Sequence, residues 1–194
     1  MDPYPKTGTP GEKIFIDLVN SSESIAPTFG HTRGISFAVK LSNNLQAPGQ
    51  DLMLWEWWQG SPYGPPCSMI IKPGTTQWQV DLRNNTTTGD SHNPAITLDG
   101  LTLNRDQWYF FVVLVYPNYT GAGRIRVWQD GALALDHSTD PIGYDPSMPA
   151  SSTGGNPLSA FYIDFGLYRP ADHAVAEVYF DRIRYGDGYP ALTR

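Results

Sequence analysis

The sequence contains a single cysteine, Cys67, among its 194 residues. One thiol can form no disulfide within the chain and cannot supply a thiolate zinc cluster. Charged side chains are also scarce, at 16% of the residues, and acidic groups exceed basic ones to give a net charge of −6. Because a chain with this balance has no dominant basic surface, we expect no nucleic-acid partner.

Long apolar segments are absent as well. No window of about 18 apolar residues occurs, so the sequence predicts no membrane insertion. Residues 1–5 lack the basic and apolar pattern of a secretory signal peptide. The chain also has no internal repeats and no second compositional regime. We therefore predict one domain over residues 1–194, with an N-terminal arm at 1–11 and a long rim loop at 141–157.

Aromatic side chains, glycine and proline are abundant. Aromatic residues make up 13% of the chain and hydrophobic residues 40%, which excludes a disordered protein. There are 19 glycines and 17 prolines, a share well above the typical value of about 12%. They lie between short apolar runs and follow no triplet period, so they indicate many turns that join short strands.

The apolar runs alternate with period two, as in strands that bury one face. No amphipathic helix longer than two turns occurs in the pattern. The predicted fold class is all-β, a two-sheet antiparallel sandwich of the jelly-roll type with at least ten strands in total. The clearest predicted strands are residues 14–18, 35–41, 52–59, 77–82, 108–115, 124–128, 132–136, 161–168 and 175–185.

Two patterns among these strands predict their place in the fold. Residues 108–115 are apolar on both faces, as expected of a central strand that is covered on each side. Residues 124–128 and 132–136 flank the pair Asp130-Gly131. Because this pair accepts the positive φ angles of a tight turn, a β-hairpin is predicted here.

Three strands present faces that mix polar and aromatic side chains. In residues 161–168 the apolar side chains point one way, and the opposite face carries Tyr162, Asp164 and Tyr168, with Arg169 following. In residues 124–128 one face carries Arg124, Arg126 and Trp128. In residues 52–59 one face carries Glu56 and Trp58, and the other carries Trp55, Trp57 and Gln59. The pattern leaves open which face of this last strand is inside.

Aromatic rings beside Arg, Gln, Glu and Tyr suit a sugar chain. The apolar face of a pyranose stacks on a ring, and its hydroxyls bind planar polar groups. We therefore predict a polysaccharide or a cell-surface glycan as the partner. The alternative is that these rings fill the core and that the arginines form a solvated face. The predicted sugar-binding groove contains Trp58, Arg124, Arg126, Trp128, Tyr162, Asp164, Tyr168 and Arg169, with Glu56 and Gln59 at its floor.

A series of motifs follows in a defined order along the chain. They are residues 34–41, residues 54–66, Trp108-Tyr109, residues 123–128, Asp130-Gly131, residues 161–169, residues 178–181 and Gly186. This order resembles that of the jelly-roll polysaccharide lyases of the heparin lyase I and glucuronan lyase type. The resemblance implies a concanavalin A-like sandwich that acts on a uronate-containing polysaccharide by β-elimination.

The resemblance also implies roles for single residues. Tyr168 matches the terminal tyrosine of the family and would act as base and acid. Glu56 and Trp58 stand where the family has an amide and a histidine, and Asp164 stands where it has a lysine. Gln59 would neutralise the uronate only if the register shifts by one residue, which turns its neighbours to the other face.

The acidic residues at these positions decide the expected function. A uronate lyase has to neutralise the carboxylate of its substrate, whereas Glu56 and Asp164 repel it. We therefore expect a lyase-like sandwich that recognises a polysaccharide and is non-catalytic or weakly catalytic. The alternatives are an active uronate lyase and a structural or assembly module without a sugar site. Glycoside hydrolysis would need Glu56 and Asp164 on neighbouring strands.

No cofactor is expected. The histidines show no metal-binding spacing, so no metal site is predicted, although a structural calcium ion held by loop oxygens is possible in such a sandwich. Cys67 follows Pro66 in a predicted turn and is expected to be inert. A glycan-recognising fold without a signal peptide predicts an extracellular or virion-exposed location, either as part of a longer secreted chain or in a phage tail.

Overall fold

The computed structural model describes most of the chain. The described ranges are residues 12–19, 24–45, 52–60, 63–85, 94–148, 155–169 and 177–193. For residues 12–19, 168, 169 and 190 only the backbone is described. The predicted N-terminal arm at 1–11 and residues 149–154 of the predicted rim loop lie outside these ranges.

The described residues form strands and one short helix. The strands are β1 (Glu12–Val19), β2 (Arg33–Leu41), β3 (Leu52–Trp58), β4 (Cys67–Ile71), β5 (Gln77–Leu82), β6 (Ile96–Thr102), β7 (Trp108–Tyr116), β8 (Arg124–Gln129), β9 (Ala132–His137), β10 (Tyr162–Arg169) and β11 (Val178–Gly186). The helix is α1 (Tyr189–Leu192). Within the described ranges no helix reaches three turns.

The strands pair into two antiparallel sheets. The six-stranded sheet has the order β1-β10-β3-β4-β5-β6, and the five-stranded sheet has the order β11-β2-β7-β8-β9. Every pairing between neighbours is antiparallel. The predicted fold class, an all-β two-sheet sandwich, is therefore confirmed.

Aromatic side chains join the two sheets in a common core. Phe37 on β2 stacks on Phe111 on β7 with ring centroids 5.4 Å apart. Across the sandwich, Phe37 meets the edge of Phe165 on β10 at 4.9 Å, and Trp78 on β5 meets Phe111 at 5.6 Å. Such pairs contribute about 0.5–1.5 kcal/mol each beyond the burial of their area. Because these rings point inward, the alternate residues of each strand face outward.

Strand β7 is the central strand of the five-stranded sheet, as its two apolar faces predict. On the inner face, Phe111 and Val113 belong to the main core. On the outer face, Val112 and Leu114 pack against Leu192 of α1. The short helix therefore supplies the second cover that a strand with two apolar faces requires.

The tight turn between β8 and β9 is also confirmed. Asp130 and Gly131 have φ angles of 51° and 83°. Both values lie in the left-handed region, where Asp and Gly are tolerated because a short polar side chain or no side chain avoids the steric clash. The turn places the two strands of the hairpin side by side.

Strands β4 and β6 are not among the strands that alternation predicts. All five residues of β4 are buried, so the strand has no alternating pattern to detect. The prediction that Cys67 lies in a turn is wrong, because this residue begins β4 and is fully buried. Burial raises the pKa of its thiol, which keeps the sulfur protonated and unreactive.

Candidate functional site

The residues of the predicted groove lie on two opposite faces of the sandwich. Ile125 and Val127 on β8 point into the core, so the alternate residues of β8 face outward from the five-stranded sheet. Ile163 and Phe165 on β10 also point into the core, so Asp164 faces outward from the six-stranded sheet. The prediction that both strands line one groove is wrong, because β8 pairs with β7 and β9 whereas β10 pairs with β1 and β3.

The outer face of the five-stranded sheet holds three of the predicted residues in contacts within the chain. The Arg124 guanidinium donates two hydrogen bonds to Asp136, at 2.9 and 2.6 Å. The Arg126 guanidinium lies over the Trp128 ring, 5.4 Å from its centroid. The Trp128 ring also contacts Tyr189 of α1, with ring centroids 4.7 Å apart. Trp128 therefore already contacts two neighbours within the chain.

The outer face of the six-stranded sheet carries Glu56 and Trp58. Trp55 and Trp57 are fully buried in the core, which resolves the choice that the sequence left open for this strand. Trp58 pairs in register with Tyr162, and their rings lie 5.6 Å apart. The Trp58 indole N–H donates to the Tyr63 carbonyl at 3.1 Å. This bond holds the indole beside Tyr162, where both rings are half-buried.

An acidic row crosses this outer face. Asp164, Glu56, Ser68, Asp81 and Thr97 are successive register partners on β10, β3, β4, β5 and β6. Neighbouring strands lie about 4.8 Å apart. Carboxyl groups on adjacent strands, such as those of Glu56 and Asp164, therefore share one small area of surface. As whole residues, Glu56 and Asp164 are only 6% and 5% exposed.

Ser68 and Asp81 are members of this row that the sequence reasoning missed. A signal was available for Asp81, because Gln79 and Asp81 alternate with the buried residues Trp78 and Val80. The sequence contains no pattern that marks Ser68, because it lies on β4, where all five residues are buried and no alternation occurs. Its hydroxyl is buried and has no hydrogen-bond partner among the described residues.

Asp81 is buried and hydrogen-bonded. One of its carboxylate oxygens accepts bonds from Gln79 at 2.8 Å and from Thr97 at 3.1 Å. Burial raises the pKa of the Asp81 carboxyl above its ordinary value, although the two hydrogen bonds and the nearby Arg83 act in the opposite direction. The folded state therefore holds the proton of Asp81 at pH values where the unfolded chain has released it.

This raised pKa predicts a pH dependence of stability. Because the native state binds more protons, the contribution of Asp81 to the free energy of unfolding falls as pH rises from about 3.8 through its folded pKa. We expect Asp81→Asn to become progressively more stable, relative to the parent chain, over that rise in pH. Urea unfolding at a series of pH values measures it, with the exposed Asp99→Asn as the control. A constant difference across pH would contradict the prediction.

Gln59 does not face the surface. The residue is fully buried, and its amide nitrogen donates to the carbonyls of Tyr144 at 2.6 Å and Leu158 at 2.8 Å. Its amide oxygen accepts from the Tyr144 N–H at 2.8 Å. The side chain thus ties two connecting segments to the end of β3. The prediction that Gln59 lies at the floor of a groove is wrong, because the residue is buried and its amide N–H groups already donate to two backbone carbonyls.

Tyr168 and Arg169 lie at the end of β10. Tyr168 pairs in register with Lys13 on one side and Met53 on the other, and Arg169 pairs with Glu12. Only their backbone is described, so the roles that the resemblance implies for the two side chains stay predictions.

Within the described ranges, no group of three His, Cys, Asp or Glu side chains is placed to hold a metal ion. The expected absence of a cofactor and the possible structural calcium ion both stay predictions. The same ranges contain no helix that is long and apolar enough to cross a membrane.

Comparison with known proteins assigns the family. The family model described as polysaccharide lyase matches residues 10–184. The chain belongs to the polysaccharide lyase family. No curated protein sequence has a significant match to it.

Solved structures show the same fold for this polysaccharide lyase family member. An endo-beta-1,4-glucuronan lyase from the fungus Trichoderma reesei is similar with a TM-score of 0.67 and 16% identity, over 98% of this chain and 79% of that chain. An alginate lyase from Pseudomonas aeruginosa has a TM-score of 0.50 and 13% identity, over 83% and 68%. The receptor binding domain of botulinum neurotoxin mosaic serotype C/D has a TM-score of 0.50 and 12% identity, over 84% and 35%.

The polysaccharide lyase family member therefore combines this sandwich with the outer face described above. The resemblance places an amide, a histidine and a lysine on this face in related lyases. Glu56 and Trp58 lie on β3 and Asp164 lies on the adjacent strand β10; their correspondence to the amide, the histidine and the lysine of the lyases stays a prediction. The face is acidic and aromatic.

Proposed function

We propose that the chain recognises a polysaccharide of uncharged sugars at the outer face of its six-stranded sheet and does not cleave uronates. The observation that carries the proposal is the pairing of Glu56 with Asp164 on adjacent strands of that face. A chain of this function acts where polysaccharides occur, and we place it outside the cell or on a virion.

Electrostatics argue against uronate cleavage. A uronate carboxylate held against Glu56 and Asp164 would meet two further acidic groups on the same small area, and like charges repel each other. β-Elimination also needs a group that neutralises the uronate carboxylate and stabilises the carbanion, and the carboxylates of Glu56 and Asp164 cannot supply one.

The same face suits an uncharged sugar. The half-buried rings of Trp58 and Tyr162 lie side by side and can contact the apolar face of a pyranose. Carboxylates next to them accept hydrogen bonds from sugar hydroxyls, and such charge-assisted bonds are about twice as strong as neutral ones. The acidic row therefore repels a polyanion but binds hydroxyl groups.

Binding and turnover are best measured on the same samples. We expect the parent chain to bind at least one of a glucan, a mannan and a galactan, and to produce no absorbance at about 235 nm from glucuronan or alginate. Tyr168→Phe should bind the same neutral glycan with an affinity lowered by about 0.5–1.5 kcal/mol at most. A rise in 235 nm absorbance that the parent shows and Tyr168→Phe lacks would identify a uronate lyase instead. Binding to none of the glycans would favour a structural module.

A second candidate function is hydrolysis of a neutral glycan. Glu56 and Asp164 are register partners on neighbouring strands, as this chemistry requires. In retaining glycosidases the two carboxyl groups lie about 5–5.5 Å apart, one acting as nucleophile and the other as acid and base. Release of new reducing ends from the bound glycan, abolished by Glu56→Gln, would establish hydrolysis in place of simple binding.

A further inference from the structure

A cleft lies on the opposite side of the sandwich, at the outer face of the five-stranded sheet. It has a volume of about 420 Å³ and is lined by Phe110, Asp130, Arg182, Arg184 and Thr193. These residues come from β7, the turn between β8 and β9, β11, and the residue that follows α1. The volume is within the range of about 300–1,000 Å³ that small-molecule sites occupy.

Two guanidinium groups of the cleft are available to a ligand. The Arg182 side chain is 71% exposed, and its nearest carboxylate is that of Asp181 at 3.9 Å. Arg184 is exposed and forms no ion pair with any residue that the structure describes. Guanidinium groups bind carboxylates and sulfates with two parallel hydrogen bonds. The cleft therefore offers a site for an anionic group.

The backbone at Arg182 is held in a conformation that non-glycine residues rarely adopt. Its φ angle is 55°, and the pairing of β11 with β2 shifts register between Asp181 and Arg184. A bulge of this kind redirects side chains, and strain at a non-glycine residue is concentrated at functional sites. The Asp181 carboxylate accepts the Arg182 N–H at 2.7 Å, which supports the bulge.

Exposed aromatic rings continue the cleft along the sheet. Trp108 precedes Phe110 by two residues on β7, so the two side chains share the outer face. Trp108 is 46% exposed and Tyr179 is 41% exposed. Lys40 lies between them, with its ammonium nitrogen 5.6 Å from the centroid of the Trp108 ring and 4.7 Å from that of Tyr179. Lys40 is paired with Asp106 at 3.3 Å and the Tyr179 hydroxyl donates to Glu177 at 2.6 Å, so this strip of the face supplies aromatic rings, whereas the free positive charge lies at the arginines.

We propose that this cleft is a second glycan site and that it binds an acidic saccharide. Arg182 and Arg184 bind the sugar carboxylate, and Trp108 stacks on the apolar face of the neighbouring sugar. Asp130 accepts a bond from a sugar hydroxyl beside the bond that it already accepts from the Phe110 N–H at 2.8 Å. The Asp130 carboxylate would repel a fully ionised anion such as sulfate, which has no hydroxyl group to donate to it. The site is independent of the proposed function, since it uses other residues on the other sheet.

Calorimetric titration with a glucuronic acid trisaccharide tests the proposal directly. Arg184→Ala should raise the dissociation constant about tenfold or more, because a charge-assisted pair of hydrogen bonds is lost. Trp108→Ala should weaken binding of the trisaccharide and leave binding of inorganic sulfate unchanged. The methyl ester of the trisaccharide should bind far more weakly than the acid. Lys72→Ala, which removes one positive charge from the other sheet, should change affinity by less than about twofold.

Three results would overturn the proposal. They are absence of trisaccharide binding by the parent chain, equal affinity of the acid and its methyl ester, and equal losses in Arg184→Ala and Lys72→Ala. Inorganic sulfate that binds as tightly as the trisaccharide would show an anion site without saccharide specificity, which also contradicts it. Because Arg184 is exposed, its removal should preserve the fold, and equal melting temperatures of parent and variant verify this.

Discussion

Replacing Gln59 with glutamate is expected to lower the free energy of unfolding by about 3–5 kcal/mol, the cost of an unpaired charge in a buried position. The parent amide donates to the Tyr144 and Leu158 carbonyls and accepts from the Tyr144 N–H. A carboxylate in the same place would set an oxygen against two carbonyl oxygens. Chemical denaturation at pH 7 measures the loss.

The size and the pH dependence of this effect separate a structural role from a catalytic one. Because protonation of the introduced carboxyl restores one donor, the loss of stability should shrink as pH falls towards 4. The matched control is Gln107→Glu, which makes the same chemical change at an exposed side chain. If Gln59→Glu were as stable as the parent chain while altering activity on a uronate, the structural role would be refuted.

Removing both rings of the six-stranded face is expected to reduce affinity for a neutral glycan about a hundredfold or more. The double variant Trp58→Ala/Tyr162→Ala removes the pair whose centroids lie 5.6 Å apart. An aromatic side chain at the centre of a binding site typically contributes about 1–3 kcal/mol. Two such losses correspond to a factor of about a hundred or more in the dissociation constant.

Trp128→Ala is the matched comparison for this binding experiment. It also removes an indole, but from the face of the five-stranded sheet, where the ring contacts Arg126 and Tyr189. If Trp128→Ala weakened neutral-glycan binding and the double variant did not, the binding site would lie on the other side of the sandwich. Retained melting temperatures in both variants exclude unfolding as the cause.

The sequence alone predicts the strands in which one face is buried. The apolar residues of β10 do form part of the core, with Tyr162 and Asp164 on the other side. The tight turn at Asp130 is also predictable, because the positive φ angle is a local requirement. Strand β4 escapes prediction, since a segment buried on every side has no periodicity that separates it from other apolar runs.

The candidate sites were harder to predict than the strands. Alternation along a strand shows which side chains face the core and which face outward, but it does not show which of the two sheets the strand joins. Strands β8 and β10 both present polar and aromatic outer faces, and these look equivalent in sequence. Their pairing partners separate them by the thickness of the sandwich. The bulge at Arg182 and the cleft beside it depend on contacts between β11, β7 and the residue after α1, which no local pattern contains.

Local chemistry in the sequence thus determined the all-β class, the family resemblance and the presence of Glu56 and Asp164 in strands that also carry aromatic residues. Only the tertiary structure decided that Glu56 and Asp164 are register partners and that the buried Gln59 side chain binds a backbone carbonyl. It also decided that the arginines of β8 lie on the opposite face of the sandwich. The physical reason is that strand pairing is made by hydrogen bonds between segments far apart in the chain. Those partners are selected by the packing of the whole core.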